Sequence, residues 1–385
     1  MKVAIFHPSL VLKGGSERVV LEFLKNTKHD VDVYTYNFDE ATTFKDFIKF
    51  RNKIYIVGPK IIKKILKWKY IRAFILPFFT KIPLNKYNIF IISTAGFSEF
   101  ILFTNYKKGK TFAYVHTPLK AASKNLIEWN LKYRCRGLIK IIYPLAMKIY
   151  RFLEKIAWKK IDKVIFNSEL TLERAKERNL IKNKKTYIVH PPVSLKIPTQ
   201  KSKVGDYFLY ASRFSIQKRQ DVLVEVWKKF GKEFPYKLVL AGFPTEGYEK
   251  LKEEVKDYPH IILKPNPTEK ELAQLYSNAL ACFFIGIEED FGISPFEVLA
   301  AGKTLIAVNR GGYIDLIKKT PSVVWIKETF DNKTLIEEIL KAVKKFLKRK
   351  NFYVKRAIRN REFVKKLDLD PKNFAKKIDE ILEKM

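Results

Sequence analysis

Short apolar runs alternate with amphipathic stretches along nearly the whole chain. In the first half, Lys2–Pro8, Asp30–Tyr36, Lys53–Val57, Tyr87–Ser93, Thr111–His116 and Lys163–Ser168 read as strands, and Tyr187–Pro192 closes the series. Helical stretches separate them, which is the βα alternation of a doubly wound parallel sheet. Ser194–Asp206 interrupts the pattern with the composition of a linker. The alternation then restarts with Tyr207–Ala211, Lys237–Ala241, Ile261–Lys264, Leu280–Ile285, Thr304–Val308 and Val323–Ile326. A chain of this length exceeds one ordinary core, so two α/β domains are expected: residues 1–193 and 207–365, with a hinge at 194–206. A final helix, Pro371–Lys384, follows Asp370 as its N-cap within the last segment, 366–385.

The stretch from Phe283 to Leu316 carries the densest chemistry. An acidic turn, Glu288-Glu289-Asp290, leaves the Leu280–Ile285 strand, and Phe291-Gly292-Ile293 leads into a helix expected at Ser294–Ala301. Ser294 suits the N-cap, Pro295 the first helical position, and Gly302 the stop. Backbone N–H groups of Gly292, Ile293 and Ser294 at that helix start suit a phosphate. Glu289 and Glu297, one in the loop and one in the helix, can face one crevice and accept hydrogen bonds from sugar or ribose hydroxyls. The alternative is an ordinary strand–helix unit with solvated acids.

Three further positions lie at strand-to-helix loops, where α/β proteins bind ligands. Gly14-Gly15 permits close backbone approach before a helix near Ser16. It is not a G-x-G-x-x-G fingerprint, which disfavours a dinucleotide cofactor. His116 ends the Thr111–His116 strand in the run Tyr114-Val115-His116-Thr117-Pro118. Arg213 and Lys218 follow Tyr207–Ala211 and suit a diphosphate, Arg by bidentate contact and Lys as a point charge. Two D-x-D triplets, Asp30–Asp32 and Asp368–Asp370, are assigned no metal, because one opens a strand and the other precedes a helix.

Charge changes the picture of partners. The chain of 385 residues carries a formal net charge of +35. Between Arg51 and Lys160, 24 Lys and Arg face three acids, Glu99, Glu128 and Glu154. Such a density implies an anionic membrane surface, a nucleic acid or a phosphorylated substrate. Lys60–Arg72 is amphipathic, and Trp68 with Phe74, Phe78 and Phe79 offers an aromatic cluster. In Leu145–Ile161, one face carries Leu145, Ile149, Phe152, Leu153, Ile156 and Ala157, and another carries Lys148, Arg151, Lys155 and Lys159. The apolar face is expected on the sheet and the basic face against headgroups. No apolar run reaches the ~18 residues of a membrane span. The amino terminus reads as a first strand rather than a signal peptide, and the two cysteines, Cys135 and Cys282, as free thiols in a reducing compartment.

The E-x7-E spacing of Glu289 and Glu297, the E-D-F-G-I turn, the A-A-G at 300–302 and the R-G-G at 310–312 resemble the donor-sugar motif of retaining GT-B glycosyltransferases, family 4 (glycosyl transferases group 1). Asn167-Ser168 with Thr171 and Arg174 resembles the segment closing that family's first domain. The resemblance implies an α/β GT-B fold, two Rossmann-like doubly wound domains facing across a cleft, with residues 366–385 returning to the first. It implies a donor diphosphate on Arg213, Lys218 and the amides of Phe291 to Ser294, a sugar on Glu289 and His116, a ribose on Glu297, and Gly14 and Gly15 near donor and acceptor. The family's Arg and Lys stand further apart than the four-residue gap here.

The motif combination resembles users of GDP-mannose more than of UDP-sugars, without cofactor or metal. The expected acceptor is a membrane-displayed, polyprenyl-linked glycan or lipid, reached by a cytoplasmic protein peripheral on the membrane's cytoplasmic face. A UDP-sugar-dependent glucosyl or N-acetylhexosaminyl transferase, a sugar-nucleotide epimerase and a basic nucleic-acid-binding protein are the rivals. The last lacks a helix-turn-helix, zinc or RNP signature, so no nucleic-acid partner is expected.

Overall fold

The computed structural model describes residues 1–65, 69–194, 205–233 and 235–384. The chain divides into two compact units, 1–192 with 371–385, and 193–370. Most of the expected hinge at 194–206 lies outside the described residues, as does Trp68.

The first unit holds β1 (Lys2–Phe6), β2 (Asp30–Thr35), β3 (Ile54–Ile56), β4 (Ile89–Ala95), β5 (Thr111–Thr117), β6 (Lys163–Phe166) and β7 (Lys185–Ile188). They pair in parallel in the order β3-β2-β1-β4-β5-β6-β7. The second unit holds β8 (Tyr207–Ala211), β9 (Lys237–Gly242), β10 (Ile261–Pro265), β11 (Ala281–Phe284), β12 (Thr304–Val308) and β13 (Val323–Ile326). Their order is β10-β9-β8-β11-β12-β13, again parallel. Strand order reverses beside β1 and β4 in one sheet and beside β8 and β11 in the other. Loops leaving neighbouring strands part to opposite faces there, opening a crevice at the strands' C-terminal ends.

The central strands are buried on both faces, which explains their near-continuous apolar runs. Val3, Ile5, Ile89, Ile91, Phe112 and Tyr114 form one face of the first sheet's core, and Ala4, Phe6, Phe90, Ile92, Ala113 and Val115 the other. The terminal helix Pro371–Glu383 belongs to the first unit. Its Phe374, Ile378 and Leu382 join the core of the helix Gly15–Asn26 through Val19, Val20 and Phe23. Asp379 fixes the contact, accepting from the Thr27 hydroxyl at 2.6 Å and the Lys28 backbone at 3.1 Å.

The helix Ile139–Trp158 corrects an expectation. Its buried side is Met147, Tyr150, Glu154, Ala157 and Trp158, of which Met147, Tyr150 and Ala157 pack with Phe100 and Ala122, whereas Leu145, Ile149 and Phe152 point to solvent at 59%, 50% and 65% exposure. Leu138, Ile139, Ile141 and Ile142 extend this outer apolar surface. Of the aromatics expected near it, Phe74 and Phe78 pack into a ring cluster with Phe97, Phe100 and Phe103, and Phe79 is exposed. Periodicity marks an apolar stripe but not what covers it.

The seating of the terminal helix predicts a measurable asymmetry. Phe374→Ala removes a fully packed ring and should cost about 3 kcal/mol or more in urea denaturation. Lys376→Ala, on the exposed side of the same helix, should change stability by less than about 0.5 kcal/mol.

Candidate functional site

In the second unit, the segments leaving β8 and β11 meet at the point of reversal. The Ile287 backbone N–H donates to Gln217 O at 2.9 Å, locking the two loops together. This brings Lys218, in the short 3-10 turn Ile216–Lys218, onto Glu289, and the ammonium and carboxylate form an ion pair. Both are largely buried, so the attraction is less screened than at a surface. Gly286 makes room for them: a Cβ there would stand 3.1 Å from Glu289 Oε2 and 3.4 Å from Lys218 Cδ. Gly312 N donates to the Glu289 carbonyl at 2.9 Å, so the R-G-G turn braces the acidic loop from its other side. Arg213 lies exposed on the loop after β8.

The helix that follows is Ile293–Ala300, and its N-cap is Gly292 rather than Ser294. Gly292 sits in the left-handed region at φ 78, where a Cβ would come within 3.0 Å of Phe284 and 3.1 Å of Tyr313. That conformation turns the chain into the helix two residues earlier than a cap at Ser294 would. Ser294, now inside the first turn, donates its hydroxyl to Ala211 O at 3.2 Å and ties the helix to the end of β8. Phe291 is buried and stacks on Phe296, with ring centroids 4.9 Å apart. The Ile293 and Ser294 backbone N–H groups fall in the unsatisfied first turn, beside the Lys218–Glu289 pair's loop. Glu297 is buried in the helix and accepts from the Tyr276 hydroxyl at 2.9 Å.

A buried ionic layer supports this loop. Glu288, at φ 47, is buried and forms an ion pair with Arg310 at 2.8 Å. Arg219, also in the left-handed region, donates to Thr329 O at 2.7 Å and lies 3.8 Å from Glu328. Burial pushes Glu328 up to about 7 against the opposing pull of Arg219 and Arg310.

In the first unit, Gly14 caps the helix Gly15–Asn26, and a side chain on it would collide with the Glu17 carboxylate folded over the helix start. His116, near the end of β5, is buried, and its backbone carbonyl accepts from Asn167 Nδ2 at 2.8 Å. Its Nε2 lies 2.8 Å from Ser93 Oγ, which lies 2.8 Å from His7 Nδ1. Sequence reasoning singled out His116 but passed over His7 and Ser93. His7 directly follows β1 as His116 lies at the C-terminal end of β5, so the same positional rule applied to it. Ser93 and Tyr276 carried no comparable signal.

Two doubly wound parallel sheets in one chain are the architecture of known glycosyltransferases. WaaG, a glycosyltransferase involved in lipopolysaccharide biosynthesis, matches with a TM-score of 0.71 over 99% of both chains at 16% identity. Anabaena HepE, solved in complex with UDP and glucose, matches with a TM-score of 0.69 over 100% of both at 12% identity. The fold is therefore GT-B. The profile of Glycosyltransferase Family 4 matches residues 13–197 and that of glycosyl transferases group 1 matches residues 195–361. Together they take in both units, and the chain belongs to this family. Among curated proteins it is similar to the Alpha-1,3/1,6-mannosyltransferase ALG2 of Dictyostelium discoideum, 23% identical over 82% of this chain and 84% of the relative.

The turn at Gly292 provides a direct test. Gly292→Ala should lower stability by about 1–2 kcal/mol, because an L-residue is strained in this conformation and its methyl crowds two rings. Thermal unfolding of the purified variant measures it, and an unchanged melting temperature would contradict the cap.

Proposed function

We propose that this enzyme transfers mannose from GDP-mannose, with retention of anomeric configuration, to a lipid-linked glycan displayed at a membrane. The observation that carries the reading is the convergence of Lys218, Glu289 and the first-turn amides of Ile293–Ala300 at one strand-order reversal. The name of the ALG2 relatives supports mannose as the sugar.

In this mechanism the anomeric carbon–oxygen bond to the diphosphate breaks, an acceptor hydroxyl forms the new bond on the same face, and its proton passes to the departing diphosphate oxygen on that face. Arg213, Lys218 and the amides at Gly292, Ile293 and Ser294 hold the diphosphate and stabilise its growing charge, a role for fixed donors that needs no metal. Glu289 orients the sugar hydroxyls and also holds Lys218 in place. Glu297 is assigned the ribose, and its bond to Tyr276 fixes its carboxylate orientation. Gly14 and Gly15 allow close backbone approach, and His116 is assigned the face of the transferred sugar.

The outer face of the helix Ile139–Trp158 supports membrane docking. Its exposed leucine, isoleucine and phenylalanine side chains are flanked by exposed Lys140, Lys148, Arg151 and Lys155. Covering such half-exposed apolar side chains with acyl chains is worth on the order of 1 kcal/mol each, and each nearby cation about as much on an anionic surface. No helix among the described residues is long and apolar enough to cross a membrane. We place the protein peripherally on the anionic, cytoplasmic face.

Donor identity is read by thermal shift with GDP, GDP-mannose, UDP, UDP-glucose and UDP-GlcNAc. A ligand at a hundred times its Kd adds about 2.7 kcal/mol of stability. GDP compounds should raise the melting temperature and UDP compounds should not. The reverse result would move the donor to a UDP-sugar. Glu289→Ala should lower transfer by about 100-fold or more while the protein stays folded.

Docking is checked by vesicle flotation. The protein should bind anionic vesicles, bind neutral ones less, and release as salt rises. Ile141→Asp with Phe152→Asp should abolish flotation without unfolding the chain, since both side chains are exposed. Equal flotation of the variant would remove this helix from the membrane contact.

A further inference from the structure

Charge is segregated within the second unit. Residues 193–370 carry 33 Lys and Arg, and twelve of them fall at 341–366 against a single acid, Glu362. The rest of the unit is balanced, with 21 Lys and Arg against 22 acids. The twelve lie on three consecutive helices, Asn332–Lys348, Lys350–Ala357 and Asn360–Lys365, and on the residues that join and follow them. These helices turn their apolar sides inward, where Val343, Phe346, Tyr353 and Val364 join the unit's core. Lys345, Lys348, Lys355 and Arg359 stay exposed.

An ordinary solvated helix mixes its charges. Elsewhere in this unit opposite charges stand four residues apart, Glu225 with Lys229 at 2.7 Å and Lys250 with Glu254 at 3.5 Å. At 341–366 the same spacing joins like charges, Lys341 with Lys345, Lys345 with Arg349 and Lys355 with Arg359, and such pairs repel. Lys341 and Lys344 reach acids outside the run, Glu338 at 2.8 Å and Glu233 at 3.4 Å. Lys345, Lys348 and Lys355 form no ion pair among the described residues. Their mutual repulsion is a cost that a dense array of negative charge removes. Apolar side chains are exposed among these cations. Phe352, 40% exposed, is held by the guanidinium groups of Arg349 and Arg356, 4.3 and 5.1 Å from its ring centre, and Ile358 is 67% exposed. A cleft of about 230 Å³, lined by Lys348, Arg349, Lys350, Asn351 and Phe352, opens where the first two helices meet.

We propose that this face docks the second unit on an anionic lipid surface, with headgroup phosphates on its lysines and arginines and acyl chains over Phe352 and Ile358. Phosphate oxygens accept charge-assisted hydrogen bonds from both cation types, and an anionic leaflet supplies many of them side by side. A nucleic acid also meets the cations, and a base can stack on Phe352, but aliphatic Ile358 offers it no ring. Acyl chains cover both side chains. This face is separate from the helix Ile139–Trp158, which belongs to the other unit. The choice of lipid over another polyanion rests on the membrane reading in the proposed function, whereas the segregated charge stands without it.

The test measures the affinity of the full chain for vesicles of phosphatidylcholine containing about one quarter phosphatidylglycerol. Lys345→Glu, Lys348→Glu and Lys355→Glu together should weaken binding about tenfold or more. A control with Lys252→Glu, Lys270→Glu and Lys319→Glu reverses three exposed lysines elsewhere in the unit and reaches the same net charge. It should bind within about twofold of the wild type, since charges beyond a Debye length of the surface are screened. The milder set Lys345→Gln, Lys348→Gln and Lys355→Gln, at the wild-type melting temperature, should weaken binding by a smaller factor and so separates docking from misfolding. A reversed face that binds as tightly as the wild type, or a control that weakens as much, would overturn the proposal. Loss of affinity for duplex DNA with vesicle affinity intact would assign the face to nucleic acid and overturn the lipid partner. Ile141→Asp with Phe152→Asp reads the other unit separately. If that variant floats and the Lys345, Lys348 and Lys355 reversal does not, the helix Ile139–Trp158 loses its assignment and this face keeps its own.

Discussion

In a parallel sheet, register decides which side chains meet at the strands' C-terminal ends. A slip of one residue would turn every side chain of a strand to the opposite face. Here Phe6 stands opposite Ile92, and Ser93 opposite Tyr114. His7, Ser93 and His116 therefore continue the rows that begin with Ile5, Ile91 and Tyr114. In the second sheet β8 and β11 pair at Phe208 and Ala281, and the loops leaving them carry Lys218 and Glu289. Those two residues are 71 apart in sequence. Neither group is assembled by its own local chain. Each depends on backbone ladders whose formation is driven by burying Val, Ile and Phe on both faces.

This explains what could be read from the sequence. Tyr207–Ala211, Thr304–Val308 and Val323–Ile326 lie where the pattern puts them, because they are apolar throughout and their flanks break the run. Tyr187–Pro192 was displaced to Lys185–Ile188. That strand lies at an edge with exposed side chains, so its lysine and threonine carry no hydrophobic signal, and prolines cannot donate to a ladder. At the loop after β11, serine's preference for N-caps pointed to Ser294, but tertiary packing against Phe284 and Tyr313 selected Gly292. Motif residues were visible because the chemistry demands particular types. Ser93 and Tyr276 were not, since their roles come from neighbours that register and packing supply.

The helix Ile139–Trp158 shows the same limit from the opposite direction, because it is packed with its polarity reversed. Inward it carries Tyr150 and Glu154. The Tyr150 hydroxyl bonds Glu99, and Arg178 pairs with Glu154. Burial raises both carboxylates, Glu154 to about 8, with Arg178 pulling the other way. Outward it carries Leu145, Ile149 and Phe152. Burying two acids with one arginine is costly, and replacing such a cluster with apolar side chains is often neutral or stabilising. Turning the helix by half a circle would bury the apolar stripe and solvate the acids. The chain instead keeps a hydrogen-bonded network that fixes the helix's rotation and leaves the apolar stripe outside, flanked by lysine and arginine. Water alone gives no reason to prefer that rotation. The membrane docking proposed for this helix supplies one, because such a surface would cover the stripe and pair with the flanking cations at once.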